Sequence, residues 1–238
     1  ASADATVMRT SAIGAILDAL ASAHRHTDRD IHLFEVGRTF VGNGNALPEE
    51  RRVLTIAMGQ WRSGRALGDR VANDFFDLKG AVESVTETLH VTGHGYVPVT
   101  HPAFHPYRAA AIVMDHRPEA AGKKPIRPED VVGILGEIDQ DIAKAFGCEE
   151  RVLLAAIDFD RLVASAQQVR PSMPLPRFPA LDEDLAFVVP ESLASERLTT
   201  LITKTGAPLL ESAVLFDVYT GDRIPSGTKS LAYALTFR

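Results

Sequence analysis

Ile31-His-Leu-Phe-Glu-Val-Gly-Arg-Thr-Phe-Val41 alternates along its whole length: Leu33, Glu35, Gly37 and Thr39 interleave with His32, Phe34, Val36, Arg38 and Phe40. A period of two marks a strand, and Gly42-Asn-Gly-Asn45 is the turn signal that ends it. Each face carries one charge, Glu35 on one and Arg38 on the other. An edge strand carries both freely, whereas a central strand needs a partner for each. With a helical pattern before it and two strand-like runs after it, the stretch is expected to be a central strand of an antiparallel sheet.

Upstream, Met8 to His26 repeats Ile13, Ile16, Leu17, Leu20 and His24 at helical spacing, with Ala12, Ala15, Ala19 and Ala23 between them. Such a helix lies on its own sheet or enters a subunit interface. Downstream, Arg52–Met58 is a second strand, and Trp61 to Asp69 a loop bearing Gly and Arg. Asn73-Asp-Phe-Phe-Asp-Leu-Lys-Gly80 opens a helix. Asn73 or Asp74 can cap it, Asp77 sits in its positive first turn, and Gly93 ends it. Phe75, Leu78, Val82, Val85 and Leu89 form its apolar stripe. Tyr96–Thr100 and Ala109–Met114 read as strands around a stiff His101-Pro-Ala-Phe-His-Pro106 loop. Arg117 to Pro128 is an exposed loop. Val131–Ile138 is a nearly unbroken apolar run and so a buried central strand. A short helix over Asp141–Phe146, stopped by Gly147, a strand Val152–Ile157 and a short helix Asp158–Ala166 follow.

Pro171, Pro174, Pro176 and Pro179 crowd the stretch from Gln167 to Pro179, which is therefore a linker. Beyond it, strand Asp184–Val189, a helix Ser192–Lys204 capped by Ser192, strand Ala213–Tyr219, a turn Thr220–Gly227 and strand Lys229–Phe237 make the order β-α-β-β. That is the first two-thirds of a ferredoxin-like βαββαβ unit, C-terminally incomplete at Arg238.

The totals narrow the function. A chain of 238 residues, 45% hydrophobic, folds as one large domain or a medium and a small one. No apolar run approaches the roughly 20 residues of a membrane span, and Ala1–Met8 lacks the basic start and apolar core of a signal peptide. The single cysteine, Cys148, allows no internal disulfide and fits a reducing cytoplasm. A net charge of −6 offers no global attraction to phosphate, so nucleic acid must be bound locally and by shape.

No constellation in the chain assembles a reaction. His90 and His94, like His101 and His105, are four residues apart, but too few ligands converge for zinc and no metal site is assigned. Gly42-x-Gly44 follows a strand with no helix behind it to offer free N–H groups, so it reads as a hairpin turn. No G-x-x-x-x-G-K-[ST] and no G-x-S-x-G occurs. Carboxylates near Cys148 are expected to raise its pKa and so oppose a thiolate nucleophile. No catalytic residue is assigned.

The C-terminal unit says more. Alternation sets Val214, Phe216 and Val218 against Leu215, Asp217 and Tyr219, and Leu231, Tyr233, Leu235 and Phe237 against Ser230, Ala232, Ala234 and Thr236. Leu185, Phe187 and Val189 oppose Asp184, Ala186 and Val188. One face is a helix-covered core. The other carries small residues with Asp217, Tyr219 and Ser230, a surface on which a single-stranded RNA loop can stack and hydrogen bond. An ordinary solvated face is the plainer alternative, and charge does not favour RNA: residues 177–238 hold six Lys and Arg against eight Asp and Glu.

Met8-Arg-Thr-Ser11, Leu33-Phe-Glu-Val-Gly-Arg38, Asp74-Phe-Phe-Asp-Leu-Lys-Gly80, His105-Pro106 and Gly133-Ile-Leu-Gly-Glu137 occur in that order. Pro176-Arg-Phe-Pro179, Asp184-Leu-Ala186, Leu215-Phe-Asp-Val-Tyr219 and Lys229-Ser-Leu-Ala-Tyr233 follow. The series resembles the C-terminal part of the bacterial phenylalanyl-tRNA synthetase β subunit. The resemblance implies an α+β chain with three parts. Residues 1–166 would form a class II synthetase-like antiparallel core that is not catalytic, 167–176 a Pro-rich linker, and 177–238 a ferredoxin-fold anticodon-binding domain. It implies assembly with the α subunit into an α2β2 ligase in the cytoplasm, and the N-terminal helix would join a bundle at that interface. Asp217, Tyr219 and Ser230 would approach an anticodon base of tRNA(Phe). ATP and magnesium are implied for the whole enzyme, with no cofactor in this chain. The family commonly has Gly after His-Pro, where this chain has Tyr107. Two other readings are a stand-alone amino-acid-activating enzyme using Glu35 and Arg38 on the first sheet, and a regulatory module that binds a free amino acid.

Overall fold

The computed structural model describes residues 6–27, 30–42, 44, 47–59, 61–63, 70–114, 127–167 and 178–238. The architecture is α+β, in two compact units. The first unit begins with helix α1 (Ile13–His24), strands β1 (His32–Val41) and β2 (Glu49–Met58) and the small hairpin β3 (Trp61–Ser63)–β4 (Arg70–Ala72). It continues through α2 (Phe75–Thr88), β5 (Gly95–Pro98), β6 (Phe104–Val113), β7 (Val131–Ile138), α3 (Gln140–Ala145), β8 (Leu153–Asp158) and α4 (Phe159–Ala164). Six strands pair antiparallel in the order β1-β2-β8-β7-β6-β5. No helix among the described residues is long and apolar enough to cross a membrane.

Both faces of this sheet are buried, which is why β7 and β8 read as continuous apolar runs. Leu54, Ile56, Leu153, Ala155 and Ile157 pack against Leu78 and Val82 of α2. Ala57, Leu154 and Ile138 pack against Ile16, Leu17 and Leu20 of α1. The start of α2 is fixed by a capping box. The Asp74 carboxylate accepts from the Phe76 and Asp77 N–H groups, and the Asp77 carboxylate accepts from the Asp74 N–H. The expected stripe holds: Leu78 and Val82 are fully buried, with Phe75, Val85 and Leu89 packed beside them.

Several expectations are corrected. The Ile31–Val41 stretch is the edge strand of the sheet, not a central one. Its charges are paired regardless. Arg9 holds Glu35 at 2.5 Å, and Arg38 reaches Glu50 on β2 at 2.9 Å. The segment around Arg9 also covers part of the outer flank, accepting from the Phe40 N–H at 2.9 Å and donating from Nε to the Arg38 carbonyl at 2.8 Å. A partner for each charge is therefore no mark of a central strand. Strand β8, more than 90 residues further along the chain, takes the inner side of β2, a pairing no local pattern records.

The stiff loop at 101–106 is shorter than expected, since β6 already begins at Phe104. Phe104 pairs with Ile138 and Ala109 with Gly136, so residues 105–108 bulge out opposite Glu137 alone. The nearly buried Glu137 carboxylate accepts two hydrogen bonds from Arg108, at 3.0 and 2.9 Å. The loop expected over Trp61–Asp69 contributes β3 at its start, and 64–69 lie outside the described residues. So do most of the Arg117–Pro128 loop and of the Gln167–Pro179 linker.

The second unit holds β9 (Leu181–Pro190), α5 (Ser195–Gly206), β10 (Leu210–Tyr219) and β11 (Thr228–Phe237). The sheet order is β10-β11-β9. Both outer strands run antiparallel to β11 and hence parallel to each other, with α5 as the crossover, which is the split βαβ arrangement of a ferredoxin-like fold. Leu198 of α5 packs on Leu231, Tyr233 and Leu235. The buried Tyr233 hydroxyl donates to the Ser195 carbonyl at 3.1 Å and lies 3.0 Å from Thr199 Oγ1. Ser192 does not cap α5. Residues 190–193 are spent in a turn closed by the Leu193 N–H on the Pro190 carbonyl, and Ala194 at the N-cap offers no side-chain bond.

Candidate nucleic-acid interface

Cross-strand partners share a face, so the register places every side chain of the second sheet. Ala213 and Leu215 pair with Leu235 and Tyr233, on the side packed by α5. Between Leu215 and Asp217 the register slips: β10 advances two residues while β11 advances one, from Tyr233 to Ala232. Past this bulge Asp217 pairs with Ala232 and Tyr219 with Ser230, both on the face away from α5. Strict alternation puts Leu215 on one face with Asp217 and Tyr219, and that is corrected. Leu215 belongs to the core, and Val214, opposite Ala234, points to the open side.

The three residues singled out in the sequence are thus on one face. Tyr219 and Ser230 are direct cross-strand neighbours, and Asp217 sits one row away beside Ala232. On the far side of β11 the same rows continue into Val188 and Ala186. The result is a shallow shelf floored by Ala232 and Ala186, with an exposed carboxylate at Asp217 and a half-buried hydroxyl at Ser230. Tyr219 remains 36% exposed, and its hydroxyl reaches the Asp222 carboxylate at 3.4 Å. A shelf of small side chains admits a flat ring to van der Waals distance, the tyrosine offers a π-face, and the carboxylate and hydroxyl address hydrogen-bonding groups on a base edge. Its charge is acidic, with Asp182 and Asp184 opposite Thr236 and Ala234. Such a surface addresses bases rather than phosphates.

Sequence alternation missed Phe216. Alternation assigns it to the covered face with Val214 and Val218, yet it is more than half exposed beside the bulge, whereas Val218, opposite Leu231, keeps that face. Nothing in the composition of Leu215-Phe-Asp-Val-Tyr219 marks a bulge, so no sequence signal was available.

In the first unit the candidate groups do not converge. Glu35 and Arg38 point to opposite faces of β1 and are engaged by Arg9 and Glu50. His101 Nδ1 accepts from the Ala103 N–H at 3.1 Å and His105 Nδ1 from the Tyr107 N–H at 3.2 Å, so each ring braces its own turn. Gly44, at φ +81°, sits in the turn between β1 and β2, and no helix follows it. Cys148 is buried against the Leu17 carbonyl, and burial, with the Asp18 carboxylate second, pushes its thiol up. The expected direction holds, but desolvation rather than neighbouring carboxylates is the main cause. Among the described residues no three His, Cys, Asp or Glu side chains gather as a metal ion requires.

Comparison with known proteins agrees along the whole chain. Residues 1–159 match the family described as phenylalanyl tRNA synthetase beta chain CLM domain, and residues 176–238 match the ferredoxin-fold anticodon binding domain. The phenylalanine–tRNA ligase beta subunit of Clostridium acetobutylicum is 34% identical over 238 residues, 99% of this chain and 27% of that protein. That of Symbiobacterium thermophilum is 34% identical over 242 residues, 99% of this chain and 25% of that protein. The chain therefore spans about a quarter of the length of these curated relatives. A solved structure of Desulfitobacterium hafniense PylSc, a pyrrolysyl tRNA synthetase, aligns over 68% of this chain and 54% of that one, at 11% identity and TM-score 0.45.

Proposed function

The chain belongs to the phenylalanyl-tRNA synthetase β-chain family, and on that premise we propose that it is the part of a phenylalanine–tRNA ligase β subunit that docks the α subunit and reads the anticodon. The first unit serves assembly of an α2β2 enzyme in the cytoplasm and forms no adenylate itself. Its candidate acids and bases are tied into ion pairs and turns rather than gathered in a cleft. ATP and magnesium are used by the whole enzyme, outside this chain. The second unit, joined through the linker at 167–176, binds the anticodon loop of tRNA(Phe) on its open face. The Asp217 carboxylate accepts hydrogen bonds there, the Ser230 hydroxyl donates or accepts them, and Tyr219 supplies a stacking ring.

One observation carries this reading: the register that sets Tyr219 directly opposite Ser230, with Asp217 in the next row, on the uncovered side of the sheet. The test is Tyr219→Ala in the complete α/β enzyme. Loss of one base stack weakens tRNA(Phe) binding about ten-fold. Thermal stability and phenylalanine-dependent ATP–pyrophosphate exchange stay as in the wild type. Unchanged affinity for tRNA(Phe) would overturn the site. For assembly, light scattering of the full-length β subunit mixed with α should give the mass of the α2β2 complex, and separate elution would sink that half of the proposal.

A further inference from the structure

We propose that Phe216 is a second base-stacking residue, so that β10 presents two aromatic platforms and the site holds two bases of a single strand rather than one. This rests on the reading of the open face as the RNA surface.

In a regular strand, the residue between Leu215 and Asp217 would take the opposite face to both. The bulge removes that constraint. Phe216 and Asp217 together oppose the single residue Ala232. Phe216 is absent from the cluster under α5, although Leu215 beside it belongs there, and the residue is 57% exposed. A phenylalanine left this open contributes little to the core it borders. A leucine or threonine would satisfy an edge strand as well. A bulge both re-aims a side chain and increases local twist, and bulges concentrate beside functional sites.

The placement suits splayed bases. Phe216 and Tyr219 flank Asp217 and stand opposite Ala232 and Ser230, two residues apart on β11, roughly 7 Å at about 3.3 Å per residue. That exceeds the separation of stacked neighbours in a helix, so two successive bases cannot remain stacked on each other while each lies on a ring. They must be unstacked, as in a loop. Asp217 between the rings then faces the edge of either base. The Phe ring has no hydrogen-bonding group, so its contribution is tolerant of base identity, while the Tyr219–Ser230–Asp217 corner discriminates.

The test uses the complete α/β enzyme with Phe216→Leu, Phe216→Tyr and Tyr219→Ala, and tRNA(Phe) carrying 2-aminopurine next to the anticodon base that Tyr219 contacts. Phe216→Leu keeps an apolar side chain of similar bulk but no π-face. It should weaken binding about ten-fold and abolish quenching of the 2-aminopurine on binding. Phe216→Tyr should restore both. A merely structural Phe216 predicts no difference between the two variants, because leucine would serve the strand as well as tyrosine. Full affinity and full quenching in Phe216→Leu, with Tyr219→Ala still impaired, overturn this inference alone. If Tyr219→Ala is also unimpaired, the RNA-binding face itself is misassigned.

Discussion

The ring of Tyr219 lies over Gly221, in space a side chain at 221 would occupy: a Cβ there would come within 2.7 Å of the tyrosine Cζ and closer still to its hydroxyl. The obstructed group is the far end of a mobile side chain, not backbone, so the fold has an inexpensive escape. Gly221→Ala should turn the Tyr219 ring away from its contact with Asp222 and lower affinity for tRNA(Phe) towards that of Tyr219→Ala. Stability should change by less than about 1 kcal/mol. Filter binding and a thermal melt on the same preparation separate the two effects. A large drop in melting temperature would mean that the turn itself requires glycine.

Gly136 is the opposite case. A Cβ there would meet the Ala109 Cα at 2.7 Å and the Arg108 carbonyl closer still, and both are backbone of the neighbouring strand. Gly136→Ala must push β6 off β7 where Arg108 is anchored to Glu137, and should cost about 1–3 kcal/mol. Gly80, inside α2 with open space where its Cβ would be, should instead gain about 0.5–1 kcal/mol on substitution by Ala. Urea denaturation of the two variants should move the midpoint in opposite directions.

The helix caps make a second paired comparison. Asp74 accepts from two N–H groups of α2, whereas Ser192 lies within the turn before α5 and is not its N-cap. Asp74→Ala should destabilise by about 1 kcal/mol and Ser192→Ala by a few tenths at most. Equal losses would show that Ser192 supports α5 by some other contact.

Cys148 provides a pH-dependent prediction. Burial holds its folded-state pKa above that of a free thiol. The neutral form is therefore favoured in the folded chain. The associated stability is fully present below the unfolded pKa, near 8.5, and is lost as pH rises through the folded value. Native protein should react slowly with iodoacetamide at neutral pH and quickly once unfolded in guanidinium. Alkaline solution should destabilise the wild type more than Cys148→Ala. Fast labelling of the native chain would show that the pocket beneath Leu17 opens.

The sequence exposed whatever depends on near neighbours. The α2 stripe, the Asp74 cap, the buried β7 run and the β-α-β-β order all follow from spacing within a dozen residues. It did not reveal features settled by distant partners. Whether β1 lies at the edge depends on β8 pairing with β2, and the loop at 105–108 bulges because Phe104 and Ala109 take partners only two residues apart on β7. In the site, Asp217, Tyr219 and Ser230 were correctly set on one face, but by an alternation that also misplaced Leu215, Val214 and Phe216. The extra residue that repairs the pattern carries no chemical mark.

That extra residue divides β10 into two reading frames of inside and outside. At Ala213 and Leu215, odd-numbered side chains answer to the hydrophobic contacts beneath α5; from Asp217 on, odd-numbered side chains face the solvent. Variation in the first half is judged by the core and variation in the second by whatever rests on the shelf, so neither can drift at the other's expense. Deleting Phe216 would join the frames. Leu215 would stay opposite Tyr233, and Asp217, Val218 and Tyr219 opposite Ala232, Leu231 and Ser230, so the core and the binding face would keep their residues and only the exposed ring and the added local twist would be lost.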